Sequence, residues 1–313
     1  MIVLGQVVQD YLLFCEKNRG LSTHSIKAYH CDLKQFISCL GIQTEIYHID
    51  KVALGRFHQH LVSRELNPAS IKRKFACIRA MFKWLEQEEI LDSNPFYKFH
   101  TEIKLPKRLP RNVPRSDLKR MLLQGHSHVK DKVSAHLTHK RQLNHLTKLL
   151  SAELMIATGL RVGELASIHM SNIFLAEGKI KILGKGSRER FVFLPEQELR
   201  DLIKNYLYAR QITEPQTDHL LVNSRGQQAS TQFLRKLIRD LSSEAKTQTK
   251  VTPHMLRHSA ACELLESGLD IRFVQRLLGH SSISTTEIYT HVSDTALQEK
   301  LQQAQIRSRI MVK

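Results

Sequence analysis

The sequence predicts a mainly α chain with one small β-hairpin, divided in two by a basic connector. Three observations carry that prediction. Apolar residues recur at three- and four-residue spacing through almost all of the first hundred positions, which is the period of helices with one buried face. The stretch "KLPKRLPRNVPR", residues 104–115, sets Pro106, Pro110 and Pro114 among Lys104, Lys107, Arg108, Arg111 and Arg115; prolines so spaced exclude a regular helix and favour an extended chain. In "GKIKILGKGSRERFVFL", residues 178–194, two β-branched or alternating runs flank a glycine-rich basic turn, the pattern of a β-hairpin.

Taken in order, residues 1–103 read as a helical domain of four helices, with apolar periodicity over Val7–Phe14, Ile26–Phe36, Val52–Leu61 and Ile71–Leu85. Ser22 and Ser70 stand where N-caps belong, and Gly41 follows the second helix. Residues 104–115 form the connector. Residues 116–313 form a mixed second domain, with helices expected at about 149–157 and 162–168, then the hairpin, then helices beginning near Pro195, Ser230 and Pro253. Thr252 before Pro253 is a cap followed by a proline at the first helical position. In the tail, Asp294 can cap a helix in which Ala296, Leu297, Lys300, Leu301 and Ala304 recur at helical spacing. That narrow stripe either folds back on its own domain or docks on another chain.

Composition bears on partners. The 313 residues hold 47 Lys+Arg against 30 Asp+Glu, a formal charge of +17, which makes a polyanion the natural partner. No apolar run of bilayer-crossing length occurs, and the N-terminus lacks a basic region followed by a cleavage site; a mature chain with no membrane association is expected. The five cysteines, Cys15, Cys31, Cys39, Cys77 and Cys262, show no CxxC spacing and fall in apolar-periodic stretches. They read as reduced, buried thiols of a cytoplasmic protein. On the fourth helix, Lys72, Arg73 and Lys74 are either a solvated face or contacts to nucleic acid. Lys107, Arg108 and Arg111 of the connector carry the same choice between solvated linker and strap along a phosphate backbone.

Further along, Arg161 follows "ATGL" and precedes "VGELASI", so a glycine breaks one helix and the arginine opens the next, aimed with free backbone N–H groups toward an anion. Glu164, one turn on, can orient that guanidinium; taken alone, Arg161 reads first as a surface residue paired with Glu164. Lys185 sits at the hairpin tip, where lysines are common. In "HMLRH", residues 254–258, His254 and Arg257 share a helix face with His258 beside them. The two histidines have metal-ligand spacing, but Met255 occupies the place where a zinc protease needs glutamate. His280 follows Gly279 and projects from a loop. Tyr289 belongs to a short helix begun by "SISTTE", with Ser284 and Glu287 at capping-box spacing. Between 125 and 148, His126, His128, His136, His139 and His145 are irregularly spaced and joined by no cysteine, which reads as a basic, partly helical surface insertion more than as a metal site.

Together, "TGLRVGEL", the Lys185 hairpin, "HMLRH", "LGH" and "STTEIYTH" resemble, in order, the boxes of the tyrosine site-specific recombinases, the phage-integrase and Xer-like family. "LSTHSIKAYHCDLKQF" is similar to the start of their core-binding domain, so the resemblance covers most of the chain, although the 125–148 segment is longer than the usual connection. The resemblance implies an N-terminal SAM-like core-binding domain and an α+β catalytic domain closing around duplex DNA. It implies catalytic roles for Arg161, Lys185, His254, Arg257, His280 and Tyr289, with Glu164 and His258 in support. Arginines there do what a metal does elsewhere, so no metal, organic cofactor or ATP is expected. Four protomers would synapse two recombination sites, with the tail helix docked on a neighbour. Two rivals stay open at this stage: a type IB topoisomerase-like enzyme that relaxes supercoils, and a DNA-binding accessory protein without chemistry.

Overall fold

The structure, a computed structural model, describes residues 1–104, 112–130, 139–184, 189–279 and 294–311. The chain divides into two units, Met1–Arg108 and Leu109–Lys313. In the first are α1 (Leu4–Lys17), α2 (Thr23–Leu40), α3 (Lys51–Ser63) and α4 (Pro68–Gln87), the last three starting where a side chain accepts the free N–H groups of the first turn. Ser22 accepts from Ser25 N, and Asp50 accepts from Val52 N and Ala53 N at 2.9 Å each. The fourth helix begins earlier than Ser70: Asn67 is its cap, accepting from Ala69 N at 3.0 Å, and Pro68 opens it. Pro68 lacks the N–H that a first turn leaves unused, so it extends the helix by a turn. The apolar stripes meet on Tyr11, Leu33, Phe36, Leu54, Phe57 and Phe82, all fully buried, with Phe36 edge-on to Phe57 at 5.0 Å between ring centroids.

Among the basic residues of α4, Lys72 and Arg73 are exposed. Lys74 is not, and its assignment as a DNA contact is corrected. The residue is 3% exposed, and Nζ lies 2.8 Å from Oδ1 of the buried Asp32. A buried ammonium taken from its carboxylate would be left unpaired, so this group holds α4 to α2. Arg73 also reaches Asp32, at 2.7 Å, from the exposed side.

In the second unit come α5 (Arg115–Lys130), α6 (His139–Thr158), α7 (Val162–Ala166), a three-stranded sheet, α8 (Gln197–Gln211), α9 (Thr231–Glu244), α10 (Pro253–Glu266), α11 (Ile271–Leu278), α12 (Asp294–Ala304) and α13 (Ile306–Met311). Helix α6 starts ten residues before the sequence pattern suggested and is buried on almost every side from Leu146 to Ala157. Helices α5, α8, α9, α10 and α13 all pack on it, which makes it the axis of this core. The sheet is antiparallel in the order β1 (Ile173–Phe174), β2 (Lys179–Leu183), β3 (Glu189–Phe193). The hairpin is the expected one; β1, two residues long, is too short to show alternation.

The C-terminal end of the connector is docked. Val113 is buried and its N–H donates to Ser259 Oγ at 2.9 Å, while Arg115 opens α5 and grips Glu263 with Nε and Nη2 at 3.0 and 2.6 Å. The tail likewise lies on its own unit. Leu301, Ala304, Ile306 and Ile310 join the core, and Arg307 Nε reaches the fully buried Glu153 at 2.9 Å. All five cysteines are free; Cys15 and Cys77 are buried as expected, whereas Cys31 is exposed. Among the described residues no helix is long and apolar enough to cross a membrane.

Candidate active site

The site begins where α6 stops. Gly159 adopts φ +64°, and a Cβ on it would stand 2.3 Å from Leu278 Cδ2, so glycine both turns the chain and admits α11. Two residues on, Arg161 is the extended residue before α7 and Glu164 lies on that helix's first turn, 7% exposed. Glu164 accepts from Arg161 N at 2.9 Å and Arg161 Nη1 at 2.8 Å, and from Arg190 Nη1 and Nη2 at 3.0 and 2.9 Å. Burial alone would raise this carboxyl's pKa; Arg190 and then Arg161 outweigh burial and hold it below its ordinary value.

Arg257 reaches the same place from the second turn of α10, which Thr252 caps. Its side chain is almost wholly buried, with Nη1 on Gly159 O at 2.6 Å and Nη2 on Leu278 O at 2.7 Å. Arg161 donates to Leu278 O at 3.4 Å and Gly279 O at 3.1 Å, and Arg190 Nε donates to Leu277 O at 3.0 Å. These three carbonyls end α11, which stops at Gly279 in the left-handed conformation. Terminal carbonyls lack intrahelical donors and carry the negative end of the helix dipole, so they can hold three guanidiniums that would otherwise repel one another. Burial first, then Arg161 and Arg190, push Arg257 down to about 10, with Glu164 opposing. It therefore stays cationic at neutral pH.

A cavity of about 780 Å³ opens over these groups, lined by Arg161, Arg257, His254, Arg235 and Arg239, with Thr231 and Gln232 at the start of α9. Among the described residues no carboxylate lines it. Guanidiniums, a helix N-terminus and an imidazole suit a phosphodiester. Of the residues expected from sequence, Arg161, Glu164, His254 and Arg257 come together here. His258 does not line the cavity; its Nε2 lies 3.7 Å from Cys262 Sγ. Lys185, His280 and Tyr289 lie outside the described residues, as do Lys107, Arg108 and Arg111. The histidine-rich stretch makes local contacts: His126 Nε2 is 2.8 Å from Glu153, and the rings of His128 and His145 meet at 5.3 Å. Among the described residues no three His, Cys, Asp or Glu side chains could hold a metal ion.

Sequence reasoning missed Arg190. A signal for it existed, because Arg190 pairs with Ile182 across the hairpin just as Val192 pairs with Ile180. Residues two apart share a strand face, so an arginine occupies a position on the apolar side.

The second unit thus presents two arginines at an anion pocket suited to a phosphodiester. The chain belongs to the Phage integrase family, whose sequence model matches residues 129–296, with the SAM-like N-terminal domain of phage integrases matching residues 8–89. It is 35% identical to the tyrosine recombinase XerD of Halalkalibacterium halodurans, over 96% of this chain and 97% of the relative. A tyrosine recombinase of Agathobacter rectalis is 33% identical over 91% and 92%. The XerH recombinase bound to a palindromic difH substrate shares the fold, with a TM-score of 0.68 at 23% identity over 95% of this chain and 83% of that one. The chain is thus an enzyme of site-specific recombination, which cleaves and rejoins DNA.

Proposed function

We propose that this recombinase breaks each strand with Tyr289. The tyrosine oxygen attacks the scissile phosphorus, the bond to the 5′-oxygen breaks, and a 3′-phosphotyrosyl ester remains. Arg161 and Arg257 stabilise the charge on the non-bridging oxygens, with His280 as a further donor. His254 takes the tyrosine proton and Lys185 gives one to the departing 5′-oxygen. The ester keeps the bond energy, so the 5′-hydroxyl of a second strand can reverse the step without ATP, metal or organic cofactor. The observation that carries this reading is that Arg161 and Arg257, far apart in sequence, both donate to Leu278 O at the base of one cavity.

Two double-stranded sites held by four protomers and joined through a four-way junction are the assembly proposed here, in the cytoplasm and on the nucleoid. Within it, α12 and α13 dock on the adjacent protomer, repeating the contacts that they make on their own unit. Lys72, Arg73, Lys107, Arg108 and Arg111 are the proposed backbone contacts.

The test is to incubate the wild-type chain with sheared DNA of its source genome, with excess EDTA, and to sequence the DNA that becomes covalently attached. One recurrent sequence linked through its 3′ end to Tyr289 is expected, and a four-way junction from two such sites separates recombination from relaxation of supercoils. Tyr289→Phe should bind DNA and form no adduct. An adduct in that variant, or none with wild type, overturns the reading.

A further inference from the structure

Arg190 lies in the hairpin stretch but was given no role there, yet the separate segments of the site meet through it. It stands on β3, with its side chain 15% exposed. Nη1 and Nη2 donate to the two oxygens of Glu164 at 3.0 and 2.9 Å, and Nε donates to Leu277 O at 3.0 Å. Glu164 passes the constraint to Arg161 through Nη1 at 2.8 Å. Leu277 passes it to the next carbonyl, Leu278 O, on which Arg161 and Arg257 both rest. One planar guanidinium therefore ties β3 to α7 and α11.

Stability is a poor reason for such a residue. Replacing a buried ion pair with apolar side chains of similar volume is often neutral or favourable, and β3 offers an apolar face at this position, beside Ile182 and Val192. What an apolar residue lacks is the fixed fork, which matches a carboxylate in two parallel bonds and leaves Nε for a third. The chain also leaves room for it: a Cβ on Gly279 would stand 3.3 Å from Arg190 Cζ and Nη1.

We propose that Arg190 is a positioning residue for DNA cleavage: its fork on Glu164 and its bond to Leu277 aim Arg161 and Arg257 at the scissile phosphate and hold β3 in register with them. The inference rests on the roles proposed above for Arg161 and Arg257. Arg190 does not line the cavity over Arg161 and Arg257, so its loss should slow the chemistry and spare binding. It should also leave a trace in pH. Glu164 faces Arg161 on its own segment, Arg190 from β3 and, at 3.9 Å, Arg257 from α10. Burial opposes its ionised form and Arg190 is the largest influence in favour of it. Without Arg190 the carboxyl protonates at a higher pH, and Arg161 loses its anchor there.

The probe is a nicked duplex built on the sequence that wild type attaches to covalently, with the single-turnover rate of adduct formation followed from pH 5 to 9. Arg190→Met should cleave about 100-fold more slowly at neutral pH, the scale of a small misplacement of catalytic groups, with half-site affinity within about threefold and its acid limb moved to higher pH. Arg190→Lys, which keeps the charge but not the fork, should be about 10-fold slow and keep the acid limb of wild type. Wild-type rates in folded Arg190→Met, or a loss with the acid limb unmoved, would overturn the proposal. If Arg190→Met does not fold, Arg190→Lys decides: a slow variant with intact binding supports the proposal, and one cleaving like wild type overturns it. Absence of any wild-type adduct would instead count against the proposed function.

Discussion

Gly159→Ala should damage the site through two separable effects. Alanine must first adopt the left-handed conformation at φ +64°, which costs an L-residue roughly 1–2 kcal/mol. Its methyl would then stand 2.3 Å from Leu278 Cδ2, far inside the ~3.5–4.0 Å of a carbon contact, and relieving such overpacking costs about 1–3 kcal/mol. The sum is about 2–5 kcal/mol. Leu278→Ala alone should cost about 2–5 kcal/mol as a buried truncation. In the double variant the overlap disappears, because the atom that is struck is gone, and the two costs should fall short of additivity by about 1–3 kcal/mol. The only tryptophan, Trp84, lies in the first unit, so fluorescence reports the wrong core. Hydrogen exchange of α6 and α10 peptides under native conditions is the assay that reads this one. Costs that add to within about 0.5 kcal/mol would refute the contact between Gly159 and Leu278 as the cause. DNA cleavage should fall further than stability in Gly159→Ala, since a displaced Leu278 carries its carbonyl away from Arg257.

Lys185→Ala should cleave ordinary DNA poorly and recover on a substrate with a 5′-bridging sulfur, since a thiolate departs without a proton; equal defects on both substrates would remove the general-acid role. Glu164→Gln tests the carboxylate through pH. Because the folded pKa of Glu164 lies below its unfolded value of 4.5, its contribution is present above that value and is lost as pH falls through the folded pKa. The stability gap between wild type and variant, about 3 kcal/mol at neutral pH, should narrow in acid, and a gap constant from pH 7 to pH 3 would refute the assignment. Arg307→Ala removes a partner from Glu153, which is fully buried and also meets His126 at 2.8 Å; a loss of about 3–5 kcal/mol is expected by hydrogen exchange of α6. A loss below about 1 kcal/mol would show that the pair does not anchor the tail on its own unit.

By itself the sequence determined whatever depends on neighbours along the chain. Helices came from the 3.6-residue period, their ends from Ser22, Ser230 and Thr252, and the hairpin from alternation around glycine, because each rests on backbone geometry within one turn. Arg161, Glu164, His254 and Arg257 were singled out because Gly159 and Pro253 mark helix ends, where free N–H groups favour an anion, but that they act together was implied only by the order of the motifs. Lys74 was misread because a charged residue in a helix carries no local mark of which face is covered; that depends on Asp32, forty-two positions away. The true start of α4 turned on Asn67 against Ser70, two rival caps one turn apart. The tail stripe could serve its own unit or a neighbour, since amphipathicity specifies a buried face but not which copy supplies its partner; that this face meets Glu153 through Arg307 only the tertiary structure shows. Only the tertiary structure set three guanidiniums on the last carbonyls of α11 and gave Arg190 its place among them, because that arrangement joins β3, α7, α10 and α11 across distances that no local periodicity encodes.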